Sequence, residues 1–191
     1  MLKRAEEPRF TYGDYVQWQG DDRWELIDGI AFDMSPAPSR LHQDVVLGVG
    51  RQLADKLDGG PCRVYVAPFD VRLPETDEAD DEITTVVQPD VSVICDRSKL
   101  DRAGCRGAPD FILEVGSPRT QVRDRLQKRD LYERHGMREY WVLDPDERDL
   151  LIHRLDGKSR LFKQAIQLKA KNRTAVACFD GLSIDWRRVY R

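Results

Sequence analysis

The sequence predicts an α/β fold, with a mixed β-sheet flanked by helices and followed by a C-terminal β meander. Apolar and β-branched segments typical of buried strands occupy the centre of the chain, and segments of helical periodicity precede and follow them. A strand, a helix and a further strand in succession indicate a crossover within a mixed sheet. The chain has 191 residues and neither an internal repeat nor a low-complexity linker. We therefore expect a single domain over residues 1–191.

The first third of the chain predicts two helices and a hairpin. Thr11 can cap the first turn of a short helix. Asp28-Gly29 stands between two apolar runs and predicts a tight turn, because such a turn needs positive φ. A long helix is expected from about Arg40 to Leu57, where apolar residues recur at helical spacing, and Gly59 is placed to end it.

The centre of the chain predicts three buried strands. They are expected over Arg63–Leu73, Val86–Cys95 and Phe111–Val115, each rich in apolar and β-branched residues. An acidic segment over residues 74–82 separates the first two strands, and we expect it to be a mobile loop.

The last third predicts a helix, a strand and the meander. The helix runs from about Gln121 to His135, and Gly136 should end it. A buried strand follows over Glu139–Pro145. The meander comprises three further segments: residues 150–155, 160–168 and 174–179.

Composition predicts a cytoplasmic protein and leaves its partners open. No segment approaches the roughly 18 apolar residues that a bilayer crossing needs, and the N-terminus lacks the apolar core of a signal peptide. The formal net charge of -3 neither favours nor excludes a polyanionic partner. Basic residues gather in two segments, which solvated surface charge explains as well as phosphate contacts do: Arg97, Lys99, Arg102 and Arg106, then Arg119, Arg123, Arg125, Lys128 and Arg129.

The cysteines do not form a metal-binding pattern. Cys62, Cys95, Cys105 and Cys178 include no C-x-x-C pair and no histidine at zinc-finger spacing. Cys95 ends an apolar run, which predicts a small buried apolar side chain. We expect no structural zinc site.

Two carboxylates interrupt segments that otherwise indicate interior strand. Asp90 follows Pro89 in the second predicted strand, and Glu114 stands in the third. A buried carboxylate is costly unless it is paired, hydrogen-bonded or bound to a metal. Carboxylates on one face of adjacent strands, about 5 Å apart, can share a cation such as Mg²⁺. Alternatively, an arginine or backbone N–H groups satisfy each of them, and these two residues alone do not separate the alternatives.

An ordered set of motifs extends from about Phe10 to Leu155. It comprises ELIDG at 25–29, SP at 35–36 with His42, APFDV at 67–71, QPDV at 88–91, EVGSP at 114–118, Asp124 with Lys128, and GMREYWVLDP at 136–145. The Pro-Asp pair followed by a glutamate on the next strand resembles the PD-(D/E)xK nuclease superfamily. The whole set more closely resembles the Uma family of predicted restriction endonucleases, which implies a restriction-endonuclease-like fold.

By this resemblance Asp90 and Glu114 are metal ligands, and the backbone carbonyl of Val115 is a third. The resemblance also implies that Glu25 brings a further acidic group to the site from the first hairpin. Without the resemblance, Glu25 is an exposed hairpin carboxylate.

The sequence departs from the superfamily pattern at the lysine that should follow the glutamate by two residues, because Gly116 stands there. The resemblance implies that Lys128, on the next helix, brings its ammonium to the same place. There it could orient or deprotonate the attacking water and stabilise negative charge. The alternative is a surface ion pair between Lys128 and Asp124, worth about a few tenths of a kcal/mol.

Other polar residues allow both structural and functional interpretations. His42, at the start of the long helix, could bind a phosphate or a site carboxylate, or it could pack at the helix end. Asp70 is interpreted as a hydrogen-bonded structural aspartate, and Tyr132 as a packing residue. His135 and His153 are assigned to structure.

The predicted function is Mg²⁺-dependent hydrolysis of DNA phosphodiester bonds, with Mn²⁺ as a substitute metal. A homodimer is expected, since two-fold-related sites can cut both strands of a duplex. Two other classes stay open: a nuclease fold kept as a DNA- or protein-binding module, and a hydrolase of a small phosphorylated substrate. The predicted catalytic residues are Asp90, Glu114, Lys128 and Glu25, and the predicted substrate contacts are His42, Arg119 and Arg123.

Overall fold

The structure is a computed structural model that describes residues 9–20, 22–34, 37–116 and 123–190. Short 3₁₀ turns cover Asp80–Glu82, Arg97–Lys99 and Trp186–Arg188, and a π-helical turn covers Arg123–Lys128. The other elements, in chain order, are α1 (Tyr12–Tyr15), β1 (Trp24–Ile27), β2 (Ile30–Asp33), α2 (Arg40–Leu57), β3 (Arg63–Val66), β4 (Val71–Arg72), β5 (Val86–Val87), β6 (Val91–Ile94), β7 (Leu100–Asp101), β8 (Gly104–Arg106), β9 (Phe111–Val115), α3 (Arg129–Arg134), β10 (Glu139–Asp144), β11 (Asp149–Arg154), β12 (Ile166–Lys169), β13 (Arg173–Ala175) and β14 (Ser183–Asp185).

Two mixed sheets carry the fold. The main sheet has the order β12-β11-β10-β9-β6-β3, and only β9 and β10 run parallel in it. The second sheet has the order β2-β1-β5-β4-β8-β7, with β4 and β8 parallel. The crossover from β9 through α3 to β10 is the strand–helix–strand unit that the sequence predicts. The predicted α/β class with a mixed sheet is confirmed.

Apolar clusters cover both faces of the main sheet. Along β9 the side chains alternate, so that Leu113 joins the cluster beneath α2 while Ile112 joins the cluster beside α3. Glu114 shares the parity of Ile112 and therefore points to the α3 side of the sheet. This alternation is what brings a carboxylate from the central strand to the helix that carries Lys128.

Local signals in the sequence fix several elements as predicted. Asp28 and Gly29 have φ of 51° and 81°, so the first hairpin turns through two left-handed residues. Thr11 caps α1, since its hydroxyl accepts the Asp14 N–H at 3.4 Å. Gly136, with φ of 75°, follows the end of α3.

We predicted one strand over Arg63–Leu73 and one over Val86–Cys95. Both predictions were wrong, because each segment forms two separate strands. In both cases the second half enters a different sheet from the first. Pro68 and Pro89 lie at the two breaks, where a proline cannot donate a ladder hydrogen bond. Asp90 follows the second break and directly precedes β6, and its backbone carbonyl accepts the Ala67 N–H at 3.2 Å.

The acidic segment 74–82, expected to be a mobile loop, contains a 3₁₀ turn and is held by ion pairs. Buried Arg72 pairs with Asp80, and Arg106 Nε lies 2.8 Å from the same carboxylate. The meander is also shorter than predicted: residues 160–165 form no strand, and β13 pairs with β14 in a separate two-stranded sheet. The helix predicted from about Gln121 starts in the π-helical turn, and residues 117–122 lie outside the described part.

Cys62 and Cys95 form a disulfide. The register pairs Arg63 with Ile94, so the two cysteines face each other where β3 and β6 end. The prediction that Cys95 is a buried apolar side chain was wrong, because a single sequence does not show which residues neighbouring strands bring together. Within the described residues, none of the helices has the length and apolarity that a bilayer crossing requires.

Candidate active site

Asp90 lies opposite Glu114 at one end of the central strands. The β6–β9 ladder ends at the pair Val91 and Leu113, and Asp90 and Glu114 are the next residues beyond that pair on the two segments. Asp90 Oδ2 accepts the Val115 N–H at 2.7 Å. Asp90 Oδ1 lies 3.0 Å from Nε2 of His42, which stands at the start of α2. The side chain of Asp90 is 17% exposed. Asp90 is thus fixed by two hydrogen bonds and still reaches solvent.

Three elements bring a lysine and two glutamates into one buried cluster. Lys128 Nζ donates to Glu114 Oε1 at 2.7 Å and to Glu25 Oε1 at 2.9 Å. Glu25 and Lys128 are 0% and 1% exposed, and Glu114 is 5% exposed. The alternatives that made Glu25 an exposed carboxylate and Lys128 a surface residue were wrong. Among the described residues, the buried Lys128 ammonium faces both of these carboxylates.

Tyr132 contributes a hydrogen bond that the sequence analysis assigned only to packing. Its hydroxyl donates to Glu114 Oε1 at 3.0 Å. Burial, followed by the charge of Glu114, raises the pKa of Tyr132 well above its ordinary value, so that it stays a donor. The signal was available, because Tyr132 follows Lys128 by four residues and therefore shares its helix face.

Gln88 links the site to the rest of the second sheet, and the sequence analysis missed it. Its backbone N–H donates to Glu25 Oε1 at 2.9 Å. Its side-chain oxygen accepts two hydrogen bonds from Arg23, at 2.9 and 3.0 Å. Its side-chain nitrogen donates to Asp70 Oδ1 at 2.8 Å and to Tyr15 Oη at 3.0 Å.

The remaining predicted residues divide between structure and undescribed regions. Asp70 accepts hydrogen bonds from Gln88 and Tyr15, as a structural aspartate does, and burial raises its pKa. His153 stacks on Tyr140, and His135 lies 3.2 Å from a carboxylate oxygen of Glu75. Arg119 falls outside the described residues, as do the side chains of Arg123 and Asp124.

The donors at this site fit a two-carboxylate metal site better than a closed protein cage. Among the described residues no group of three or more His, Cys, Asp or Glu side chains is arranged to hold a metal. Asp90 and Glu114 nevertheless supply hard oxygen donors from adjacent strands. Mg²⁺ commonly takes one or two carboxylates and completes its octahedron with water and substrate phosphate. The residues present fit that kind of binding.

The architecture of two mixed sheets with few helices also occurs in a solved structure. A crystal structure from Anabaena variabilis, described as "a putative nuclease belonging to DUF820", has the same fold, with a TM-score of 0.73 at 15% identity. The match covers 95% of this chain and 97% of that one.

The chain belongs to the Uma2 family. The family model, described as "Putative restriction endonuclease", matches residues 12–187. An uncharacterised protein of Synechocystis sp. is 27% identical over 141 residues, which are 73% of this chain and 70% of that protein. The resemblance found in the sequence is confirmed, and membership of this family supports a nuclease function.

Proposed function

We propose that the chain is a Mg²⁺-dependent DNA endonuclease that hydrolyses phosphodiester bonds with Asp90, Glu114, Lys128 and Glu25, with Mn²⁺ as a substitute metal. The observation that carries the proposal is the buried Lys128 ammonium held between Glu25 and Glu114, with Asp90 bound to the N–H of Val115, the residue after Glu114. Two carboxylates that can hold a divalent ion, beside an ammonium that can stabilise developing negative charge, suit metal-assisted phosphodiester hydrolysis.

The metal would be held by Asp90 and Glu114, with the carbonyl of Val115 as the proposed third ligand. When bound, it would polarise the scissile phosphate and lower the pKa of a coordinated water. The Val115 N–H holds one oxygen of Asp90 and His42 holds the other, so this carboxylate is oriented before the substrate arrives.

Lys128 and Glu25 would do the remaining chemistry. The Lys128 ammonium stabilises negative charge that develops on the phosphate oxygens. Glu25 shares that ammonium and accepts a proton from the attacking water, directly or through a second water. The N–H of Gln88 keeps Glu25 in place for this role.

Substrate contacts are proposed for His42, Arg119 and Arg123. Arginines on the segment before α3 would bind backbone phosphates, which sets affinity without reading sequence. A homodimer would place two such sites across a duplex. Sedimentation of the purified protein at several concentrations tests the dimer. The proposed location is the cytoplasm.

A plasmid-nicking assay with Mg²⁺ or Mn²⁺ tests the proposed chemistry. We expect Glu114→Gln to lower the rate at least about a hundredfold, because it removes a metal ligand and the partner of Lys128. Glu147→Gln is the matched control, since Glu147 is an exposed glutamate outside the site. Equal nicking by the parent and Glu114→Gln would identify contamination and sink the proposal.

A second candidate is a nuclease fold that binds DNA or protein with little or no activity. It is favoured by the existing partners of Glu114, because Lys128 and Tyr132 both donate to the same oxygen. A Mn²⁺ titration separates the two candidates: the endonuclease should bind the ion, and Glu114→Gln should weaken that binding. Ion binding that Glu114→Gln leaves unchanged would favour the inactive module.

A further inference from the structure

A groove of about 470 Å³ leads away from Asp90 along α2. One wall is a stripe of α2 at four-residue spacing, from His42 through Val46 and Gly50 to Ala54. At 1.5 Å per residue this stripe is about 18 Å long. The facing wall is β3, the edge strand of the main sheet. The groove is therefore an elongated channel with the proposed catalytic carboxylate at one end.

Apolar side chains line much of this groove. Leu47 is 71% exposed and Val66 is 47% exposed, and Val46 and Val64 lie deeper. Single exposed apolar residues are common on protein surfaces. Here two of them face one channel that opens at the candidate active site, which points to a ligand with an apolar part.

Two arginines bring positive charge to the same groove. Within the described chain, Arg51 pairs with no carboxylate, and Arg23 donates to the neutral amide of Gln88. The carboxylate of Asp44, which also lines the groove, is paired with Arg40. The groove thus offers apolar surface together with two cations that no carboxylate neutralises directly.

We propose that this groove binds an unpaired segment of the nucleic-acid strand that carries the scissile phosphate. The site would then act on single-stranded or locally opened DNA in preference to a uniform duplex. Ligand sites of this size are mostly apolar with a few placed polar groups. A paired duplex keeps its bases stacked, so an apolar channel beside the scissile phosphate would be left unfilled. An unpaired strand can bury the apolar faces of its bases against Leu47 and Val66, and can place its phosphates near Arg51 and Arg23.

This inference rests on the proposed function, and a binding experiment without metal separates the two. The probes are a fluorescein-labelled oligothymidylate and a labelled mixed-sequence duplex, titrated in EDTA and followed by anisotropy. We expect the single strand to bind about tenfold more tightly than the duplex. Leu47→Asp should weaken single-strand binding about tenfold. Arg51→Gln should lower, by about one, the slope of the logarithm of the single-strand binding constant against the logarithm of the salt concentration.

Matched controls lie outside the groove. Leu161→Asp replaces another exposed leucine, 57% exposed, and Arg188→Gln replaces another exposed arginine. Neither should change single-strand binding. Urea unfolding of each variant checks that binding is compared between folded proteins.

Each outcome bears on one of the two proposals. Single-strand binding that Leu47→Asp weakens supports the groove, even if no metal-dependent cleavage is found. Equal cleavage of duplex and single strand that Leu47→Asp leaves unchanged keeps the nuclease and overturns the groove. If Leu47→Asp only converts a dimer into a monomer, the groove binds a second copy of this chain and the inference is overturned. Absence of binding to both probes also overturns it.

Discussion

Lys128 is a buried cation whose two carboxylate partners belong to different sheets. Glu25 comes from the second sheet and Glu114 from the main sheet, and the lysine comes from the turn before α3. Removing one member of a buried ion pair is strongly destabilising, because the charge of the other member stays buried with less compensation. This cluster therefore ties the proposed catalysis and the stability of the fold to the same atoms.

We expect Lys128→Met to lower the free energy of unfolding by about 3–5 kcal/mol at pH 7. Without the ammonium, Glu25 and Glu114 should take up protons more readily in the folded chain than in the unfolded chain. Their folded-state pKa values would then be raised, so the stability of the variant should increase as the pH falls from 7 to 5.

Urea unfolding at both pH values measures this effect. Lys158→Met, at an exposed lysine, is the control and should change stability by less than about 0.5 kcal/mol. The same loss for Lys128→Met at pH 7 and pH 5 would contradict the expected protonation.

His153 should make the stability of the protein pH-dependent. Burial, followed by the charge of Arg129, lowers the pKa of His153 to about 4 from an ordinary 6.5. Between these values the unfolded chain binds a proton that the folded chain does not. The contribution of neutral His153 to the free energy of unfolding is therefore fully present above pH 6.5. It falls by up to roughly 3 kcal/mol as the pH drops towards 4.

His153→Phe keeps a ring beside Tyr140 and Phe162 and should flatten this dependence. Urea midpoints at pH 7 and pH 5 provide the measurement. His135 has its pKa lowered by burial too, so part of the slope should remain. A slope identical to that of the parent would show that His153 is protonated at no cost in the fold.

At the scale of elements, the disulfide fixes the edge strand of the main sheet. Cys62 and Cys95 are 33 residues apart and close a loop that contains the strands β3 to β6 and the acidic 3₁₀ turn. The Gly59-Gly60-Pro61 sequence that ends α2 leads directly into it. The groove beside α2 depends on the position of this edge strand.

Reduction of the disulfide should lower the free energy of unfolding by about 3–4 kcal/mol, from loop-closure entropy. Urea midpoints with and without reductant measure the change, and the double variant Cys62→Ala/Cys95→Ala should not respond to reductant. Protein unfolded without reductant should show only the two thiols of Cys105 and Cys178. Four reactive thiols would contradict the disulfide.

At the scale of the whole molecule, the main sheet separates two apolar clusters that share their strands. Leu113 belongs to the cluster beneath α2 and Ile112 to the cluster beside α3, yet they are neighbours on β9. The site residues Asp90 and Glu114 stand at the end of the same central strands. Neither cluster can lose its packing without disturbing the strands that form the other and the site.

We therefore expect one cooperative unfolding transition, as a single domain predicts. Leu113→Ala and Ile112→Ala should each lower the free energy of unfolding by about 2–5 kcal/mol. In each variant the unfolding transition followed by tryptophan fluorescence should shift together with the one followed by far-UV circular dichroism. This holds for Ile112→Ala too, although Trp141 and Trp186 belong to the cluster of Leu113. An Ile112→Ala variant that moves only the circular dichroism would contradict the single domain.

The sequence by itself determined the elements whose cause is local. Helix caps, the left-handed hairpin turn and strand alternation depend on neighbouring residues, so α2, the first hairpin and β9 follow from spacing. The ordered motifs also identified the family and the carboxylates Asp90 and Glu114 as residues of interest.

Only the tertiary structure decided which residues meet across elements. The disulfide, the Lys128 bridge between two sheets, the Tyr132 contact with Glu114 and the Gln88 network join residues that are 14 to 103 positions apart along the chain. Such contacts depend on strand register and helix direction, which spacing along one chain does not fix. The physical reason is that burial and charge compensation act on distance in space, whereas sequence patterns report only distance along the backbone.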